Sequence, residues 1–243
     1  MNLFSAPRLG VVVPPENPTA EPEFHHLAGA AVNVYASRFP VTPGVGLREM
    51  LEGYNDVLPA ALGGFGQMRL DAAVVACSAS HYLLAPDGDR ALCQELGERF
   101  GYPVQSSTQA ILWACAALGV SRLSLVSPYQ PWLTDTSREF WCKAGLSVDE
   151  VVLVPAGRDL YDPYRVAPEA VLAAVGEGEP AGDEALLFTG TGMGTLAALG
   201  ELSARSGRVL LTSNLASVWW ALRATGAIGE HPLLRRLEQQ AGA

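Results

Sequence analysis

The chain has few cysteines and none of the closely paired spacings that typify zinc sites and redox motifs. Only four occur in 243 residues, namely Cys77, Cys93, Cys115 and Cys142. Separate thiols of this kind predict a reduced environment rather than a disulfide framework. We therefore expect a cytoplasmic protein without a metal centre.

Long apolar runs and basic residues are also scarce. No run approaches the roughly eighteen apolar residues of a membrane-spanning helix, and the N-terminus lacks the segments of a secretory signal. Lys and Arg number 16 against 25 Asp and Glu, which gives a formal net charge of −9. We therefore expect neither nucleic acid nor a membrane as a partner. A pocket of backbone N–H groups could still bind a small carboxylate.

Short apolar runs alternate with amphipathic segments along the chain, and hydrophobic residues make up 49% of it. Uninterrupted apolar runs are typical of strands buried on both faces, and their alternation with helices predicts an α/β fold with parallel sheets. We expect strands at 9–14, 31–37, 72–76, 102–105, 123–127, 148–154, 185–189 and 208–212. We expect helices at 21–27, 47–62, 89–100, 107–118, 131–144, 168–175, 195–205, 214–225 and 234–240.

Two pairs of segments indicate an internal duplication. Residues 106–119 are similar to residues 213–226, at a separation of 107 positions that aligns Trp113 with Trp220. The strand–proline segments VVVPP and LVSPY lie 114 positions apart. The nearly equal separations favour a duplicated α/β unit, which would form two facing lobes with a site between them.

Cys77 is the candidate for a reactive side chain. It follows the apolar run 72–76, so it would lie at the carboxyl end of a central strand, where open α/β sheets bind their ligands. Backbone N–H groups at the start of a following helix would lower the pKa of the thiol. The alternative is that Cys77 is a small buried hydrophobic residue. His81 could face Cys77 on a helix, but we expect it at the surface or as a helix cap.

A glycine-rich turn, GTGMG, occupies residues 190–194 directly after an apolar strand. The dinucleotide-binding pattern GxGxxG requires another glycine at position 195, where this chain has Thr195. No acidic residue closes the next strand in the way that this motif needs. A nucleotide site at the turn is therefore not favoured.

Several segments, in their order and spacing, resemble the aspartate/glutamate racemase superfamily, in particular maleate cis-trans isomerases and arylmalonate decarboxylases. They are VVPPENPTAEPEF at 12–24, SRFP at 37–40, VVACSASH at 74–81, LVSPY at 125–129, LLFTGTGMGTL at 186–196 and TSNLASVWWALRATG at 212–226. The resemblance implies two pseudo-symmetric α/β lobes, each a parallel sheet flanked by helices, with the active site in the cleft between them. It also implies catalysis without cofactor or metal.

The lobes are predicted to divide the chain unequally. Residues 1–106 together with 214–243 would form the N-terminal lobe, which contains Cys77. Residues 107–213 would form the C-terminal lobe, which contains Tyr129 and Gly190.

The resemblance implies that Cys77 is the catalytic residue. It also implies that neutral groups and backbone N–H groups bind the substrate carboxylates, namely Asn17, Ser78, Tyr129, Gly190, Thr191 and Gly192. Three of these side chains also have a structural interpretation, Asn17 in a turn, Ser78 as a helix cap and Tyr129 at a strand edge. In maleate isomerases each lobe provides a cysteine, and the second would fall at Gly190, so two-base racemisation is not expected.

Three functions remain open at this point, and the first of them is the expected one. The first is a cis-trans isomerase of an unsaturated carboxylic acid, in which the Cys77 thiolate adds to the double bond. The second is an arylmalonate-type decarboxylase, in which Cys77 protonates an enediolate. The third is a carboxylate-binding protein without activity. In each case the expected partner is a small carboxylic acid. Thr189, Thr191 and His81 are candidates for assisting proton transfer. A homo-oligomer is left open.

Overall fold

The computed structural model describes residues 5–158, 160–177 and 185–242. The strands are β1 (Arg8–Val13), β2 (Asn33–Arg38), β3 (Ala72–Val75), β4 (Val104–Ser106), β5 (Arg122–Ser127), β6 (Ser147–Leu153), β7 (Ala185–Phe188) and β8 (Leu210–Thr212). The helices are α1 (Ala20–Ala28), α2 (Leu47–Gly63), α3 (Ser78–Tyr82), α4 (Ala85–Phe100), α5 (Ser107–Ala117), α6 (Pro131–Lys143), α7 (Pro168–Glu177), α8 (Leu196–Arg205), α9 (Ser213–Thr225) and α10 (Pro232–Ala241), with a 3-10 turn at Pro163–Arg165. None of the described helices combines the length with the apolarity that crossing a bilayer requires.

The strands form two four-stranded parallel sheets with the same internal order. The first sheet has the order β2-β1-β3-β4 and the second has the order β6-β5-β7-β8. The inner strands are almost wholly buried, whereas the edge strands β2 and β6 have exposed positions, as expected for sheets covered by helices. The predicted α/β fold and its duplicated sheet arrangement are confirmed.

The duplication aligns differently from the prediction at one pair of helices. Ser106 accepts a hydrogen bond from the first turn of α5, and Thr212 accepts the corresponding bond from the first turn of α9. These equivalent caps align Trp113 with Trp219, and the two rings pack against each other with centroids 4.7 Å apart. The predicted pairing of Trp113 with Trp220 is therefore wrong by one residue. The error arises because the prediction aligned the glycines that follow the two helices, and Gly226 lies one position farther from its cap than Gly119 does.

The last long helix links the two halves of the chain. Helix α9 packs against α5 and also against α1 and β3, although it directly follows a strand of the second sheet. This packing supports the assignment of residues 214–243 to the N-terminal lobe, which stays a prediction.

Glu23 on α1 connects the first half of the chain to the turn that follows β7. Its Oε1 accepts hydrogen bonds from the backbone N–H of Thr195 at 2.9 Å and of Leu196 at 3.3 Å, at the start of α8. Its Oε2 accepts from Asn214 Nδ2 at 2.7 Å, and the same amide donates to the Thr191 carbonyl at 3.1 Å. Burial raises the pKa of Glu23, although these hydrogen bonds oppose the shift. The carboxyl group thereby fixes the glycine-rich turn.

His81 is fully buried, so its predicted place at the surface or at a helix cap is wrong. Its Nδ1 lies 2.6 Å from Asp89 Oδ1, and the other carboxylate oxygen accepts from Ser106 at 2.9 Å and from Thr108 at 2.5 Å. Burial alone would raise the pKa of Asp89, but His81 and the hydroxyl donors bring it below its usual value. The cluster ties α3, α4 and the start of α5 together at the end of β4.

We predict that Asp89→Ala lowers the free energy of unfolding by about 3–5 kcal/mol, because it leaves His81 and two hydroxyl groups buried without their acceptor. Urea denaturation followed by circular dichroism measures the change. Asp87→Ala is the control, since Asp87 lies on the same helix and makes an exposed ion pair with Arg90 that should contribute little. Equal effects of the two substitutions would contradict the structural role of the cluster.

Candidate active site

A cavity of about 280 Å³ opens beside the carboxyl ends of β1, β3 and β5 and is lined by residues from both halves of the chain. Cys77, Ser78 and Tyr54 belong to the first half, whereas Tyr129 and Thr191 belong to the second. The apolar part of the wall includes Pro14, Leu47, Met50, Leu51 and Leu133. The cavity therefore lies where the resemblance placed the active site.

Cys77 lies at the start of α3, two residues after β3 ends, and its side chain borders the cavity although only 4% of the residue is exposed. Burial raises the pKa of the thiol, while hydrogen bonds from Ser80 and from the backbone N–H of Ala79 act in the opposite direction. The expected lowering of the pKa is therefore wrong. Desolvation outweighs the few N–H groups that a five-residue helix provides, so the thiol is protonated at neutral pH.

The tyrosines that line the cavity with Cys77 include Tyr54, Tyr129 and Tyr164, and the ring of Tyr82 packs edge-on against that of Tyr129 outside the cavity wall. Burial raises the pKa of each phenol, to about 12 for Tyr54 and Tyr82, and a negative charge on Cys77 would raise each of them further. These phenols are therefore protonated hydrogen-bond donors. None of the described residues that line the cavity is Lys, Arg or His, whereas Glu16 and Asp162 do line it. An anion in this cavity would have to be held by neutral donors.

Gly190 occupies the position in the second half that corresponds to Cys77 in the first, since it too lies two residues after its strand. Its φ is +97°, and a Cβ atom there would lie 2.9 Å from Tyr129 Oη. The backbone N–H of Gly190 donates to Ser213 Oγ at 3.1 Å, and Ser78 Oγ donates to the same atom at 3.1 Å. The Tyr129 phenol thus fills the space that a second thiol would need.

Asn17 is buried and is not part of the cavity wall. Its Oδ1 accepts from the backbone N–H of Thr19 at 2.9 Å and of Ala20 at 3.0 Å, which caps the start of α1. Its Nδ2 donates to Thr191 Oγ1 at 3.1 Å, and that hydroxyl donates to the Ala76 carbonyl at 2.8 Å. Asn17 therefore positions Thr191 in this structure, while its direct contact with a substrate stays a prediction.

The other candidate residues divide between the cavity wall and the layer behind it. Ser78, Tyr129, Thr191 and Gly192 line the cavity with Cys77. Gly190, Thr189 and His81 do not, and the Thr189 hydroxyl is hydrogen-bonded to the Tyr82 phenol. Their contacts with a substrate remain predictions.

Sequence reasoning missed Tyr54 and Tyr164, which line the cavity. Tyr54 belongs to the apolar stripe of α2, and this stripe predicted the helix without showing which of its residues faces a ligand. Tyr164 lies in the 3-10 turn at Pro163–Arg165, where no periodic pattern exists. Asp159, in the segment before this turn, lies outside the described residues.

Comparison with solved structures establishes the fold. The structure of unliganded arylmalonate decarboxylase aligns with this chain at a TM-score of 0.77 and 21% sequence identity. The alignment covers 96% of this chain and 100% of the decarboxylase chain. A cysteine-to-serine variant of maleate cis-trans isomerase from Nocardia farcinica, with a covalently bound succinylcysteine intermediate, has a TM-score of 0.80 at 21% identity and covers 97% and 99%. A maleate isomerase variant from Pseudomonas putida S16, solved with maleate, has a TM-score of 0.75 at 20% identity and covers 95% and 98%.

A search of curated proteins gives no match. The family model described as arylmalonate decarboxylase, by contrast, matches residues 9–234, which include every residue of the cavity wall and all of both sheets except Arg8. The resemblance found in the sequence is thereby confirmed, and the chain belongs to the arylmalonate decarboxylase family.

Proposed function

We propose that the chain is a cofactor-independent decarboxylase of malonate-type acids that carry an apolar substituent, with Cys77 as the proton donor. The observation that carries the proposal is the single protonated thiol at the wall of a largely apolar cavity. A buried thiol is suited to giving a proton to a carbanion, whereas it is a poor nucleophile until it loses that proton.

The composition of the cavity wall supports this substrate class. Leu47, Met50, Leu51 and Leu133 offer an apolar surface to a substituent and to the carboxylate that leaves as neutral carbon dioxide. The retained carboxylate would be held by the phenol of Tyr129, by the backbone N–H groups of Thr191 and Gly192, and by the hydroxyl of Ser78 once it turns its proton away from Ser213. Such preorganised neutral donors stabilise the charge that develops on the oxygens of an enediolate.

The reaction balances with the groups of this chain and water. The bond between the α-carbon and one carboxylate breaks, carbon dioxide leaves, and the bonding electron pair enters the enediolate. The α-carbon then takes the proton of the Cys77 thiol, and the resulting thiolate takes a proton from water. Because Gly190 provides no thiol on the opposite side, protonation occurs on one face only.

Cis-trans isomerisation is the second candidate, and it is favoured by the fold shared with maleate isomerases, one of which forms a succinylcysteine intermediate. It requires the Cys77 thiolate to add to a carbon–carbon double bond, and burial disfavours that ionised form. The geometry therefore favours decarboxylation over the isomerase that the resemblance first suggested. A carboxylate-binding protein without activity is the third outcome that the experiments below distinguish.

We predict that Cys77→Ala lowers turnover of phenylmalonate by about 10²–10⁴-fold, the usual contribution of a positioned proton donor. Release of carbon dioxide measures the reaction, and Cys142→Ala is the control because Cys142 is an exposed free cysteine. Conversion of maleate to fumarate without release of carbon dioxide would favour the isomerase. Binding of phenylmalonate without any turnover would identify a binding protein, and unchanged turnover in Cys77→Ala would contradict the role of this thiol.

The pH dependence separates the two chemical roles of Cys77. A protonated donor keeps kcat/KM constant through neutral pH, and the rate falls only as the pH rises through the raised pKa of the thiol, above its ordinary value of about 9. A nucleophilic thiolate would instead give a rate that increases with pH. We predict the first profile with phenylmalonate, and a rate that climbs through neutral pH would exclude the donor role.

The contact between Gly190 and Tyr129 can be tested by stability. We predict that Gly190→Ala lowers the free energy of unfolding by about 1–3 kcal/mol more than Gly145→Ala does, because the new methyl group meets the Tyr129 phenol. Gly145 is a matched control, since its φ is +89° and its Cβ position has no neighbour within 4 Å. Chemical denaturation measures both variants, and equal losses would show that only backbone strain keeps position 190 a glycine.

A further inference from the structure

Tyr164 lies directly on the backbone of Gly192. A Cβ atom at Gly192 would be 2.4 Å from both Cδ1 and Cε1 of the Tyr164 ring, which is closer than any side chain permits. Gly192 is not among the described glycines with positive φ, so its backbone conformation does not itself demand glycine. Position 192 therefore requires glycine because any side chain there would collide with the Tyr164 ring.

The backbone of Tyr164 is held by a short turn. Asp162 Oδ1 accepts a hydrogen bond from the Tyr164 N–H at 3.0 Å, and the Asp162 carbonyl accepts from Arg165 N–H at 3.1 Å. The following residue, Val166, is buried and anchors the end of the turn. The ring is therefore presented by fixed backbone rather than by a long free loop.

The Tyr164 phenol faces groups of the first half of the chain. Burial raises the pKa of the Tyr164 phenol, and negative charges on Cys77, Tyr54 and Glu16 would raise it further. The four residues line the same cavity. Tyr164 belongs to the second half of the chain but lines the same cavity as Cys77, and its ring limits the space in that cavity.

We infer that Tyr164 is a specificity-determining residue, whose ring, seated on Gly192, restricts the cavity to acids with a single aromatic ring. The cavity of about 280 Å³ is slightly smaller than the range of roughly 300–1,000 Å³ for ligand pockets. The inference rests on the proposed function for the substrate class, but it concerns binding and does not require turnover.

Calorimetric binding of phenylacetate and 2-naphthylacetate, two monocarboxylates that resemble decarboxylated products, tests this inference. The wild type should bind phenylacetate more tightly. Tyr164→Ala should raise the affinity for 2-naphthylacetate relative to phenylacetate by roughly tenfold or more, and Tyr164→Phe should keep the wild-type ratio. Leu160→Ala is the matched control, because Leu160 precedes the same turn and is exposed outside the cavity.

Gly192→Ala provides a second, independent measurement. Its methyl group should displace the Tyr164 ring and weaken phenylacetate binding in the wild-type background, but it should have a much smaller effect when combined with Tyr164→Ala. Additive effects, an unchanged ratio in Tyr164→Ala, an equal change in Leu160→Ala, or no phenylacetate binding by the wild type would each overturn the inference. Selective binding of phenylacetate without decarboxylation of phenylmalonate would support the inference about Tyr164 and overturn only the proposed function.

Discussion

Removal of the Cys77 thiol from water is the constraint on which the chemistry proposed for this molecule depends. The thiol is placed at the end of β3, where the wall of the cavity leaves it only 4% exposed. Desolvation favours the neutral form of an acid, and here it outweighs the N–H groups at the start of α3. The same burial keeps the surrounding phenols protonated, so the site is rich in donors and carries no positively charged side chain among its described wall residues.

The site also depends on how firmly the two halves of the chain are joined. Glu23, Asn17 and Thr19 from the first half bind the backbone or side chains of the turn that follows β7, with Thr19 Oγ1 donating to the Gly192 carbonyl at 2.8 Å. Because these contacts are buried or partly buried, they hold the turn in one position relative to Cys77. A preorganised set of donors of this kind loses little free energy to rearrangement when charge develops.

The duplicated fold explains why the two halves differ in chemistry despite their common architecture. Cys77 and Gly190 occupy equivalent places after β3 and β7, but Tyr129 fills the space at the second position. One half therefore supplies the thiol, and the other supplies a phenol and backbone N–H groups. In the proposed decarboxylation, this asymmetry would deliver the proton to one face of the substrate only.

Strand and helix positions, the duplication and the place of Cys77 could be predicted from the sequence, because they depend on local patterns of apolar residues. The direction of the Cys77 pKa shift could not, since it depends on how completely packing excludes water. His81 was misjudged for a related reason, because its partner Asp89 becomes its neighbour only when α3 and α4 pack together. Tyr164 carried no signal at all, since a 3-10 turn has no periodicity that would show which way a ring faces.

The most direct measurement of the central claim is the ionisation of Cys77 itself. The ultraviolet absorbance of thiolate, recorded against pH and taken as the difference between the wild type and Cys77→Ala, isolates this one group. The account predicts that the difference develops only above pH 9, the ordinary value for a thiol. A difference already present at neutral pH would show an ionised sulfur and would contradict the account.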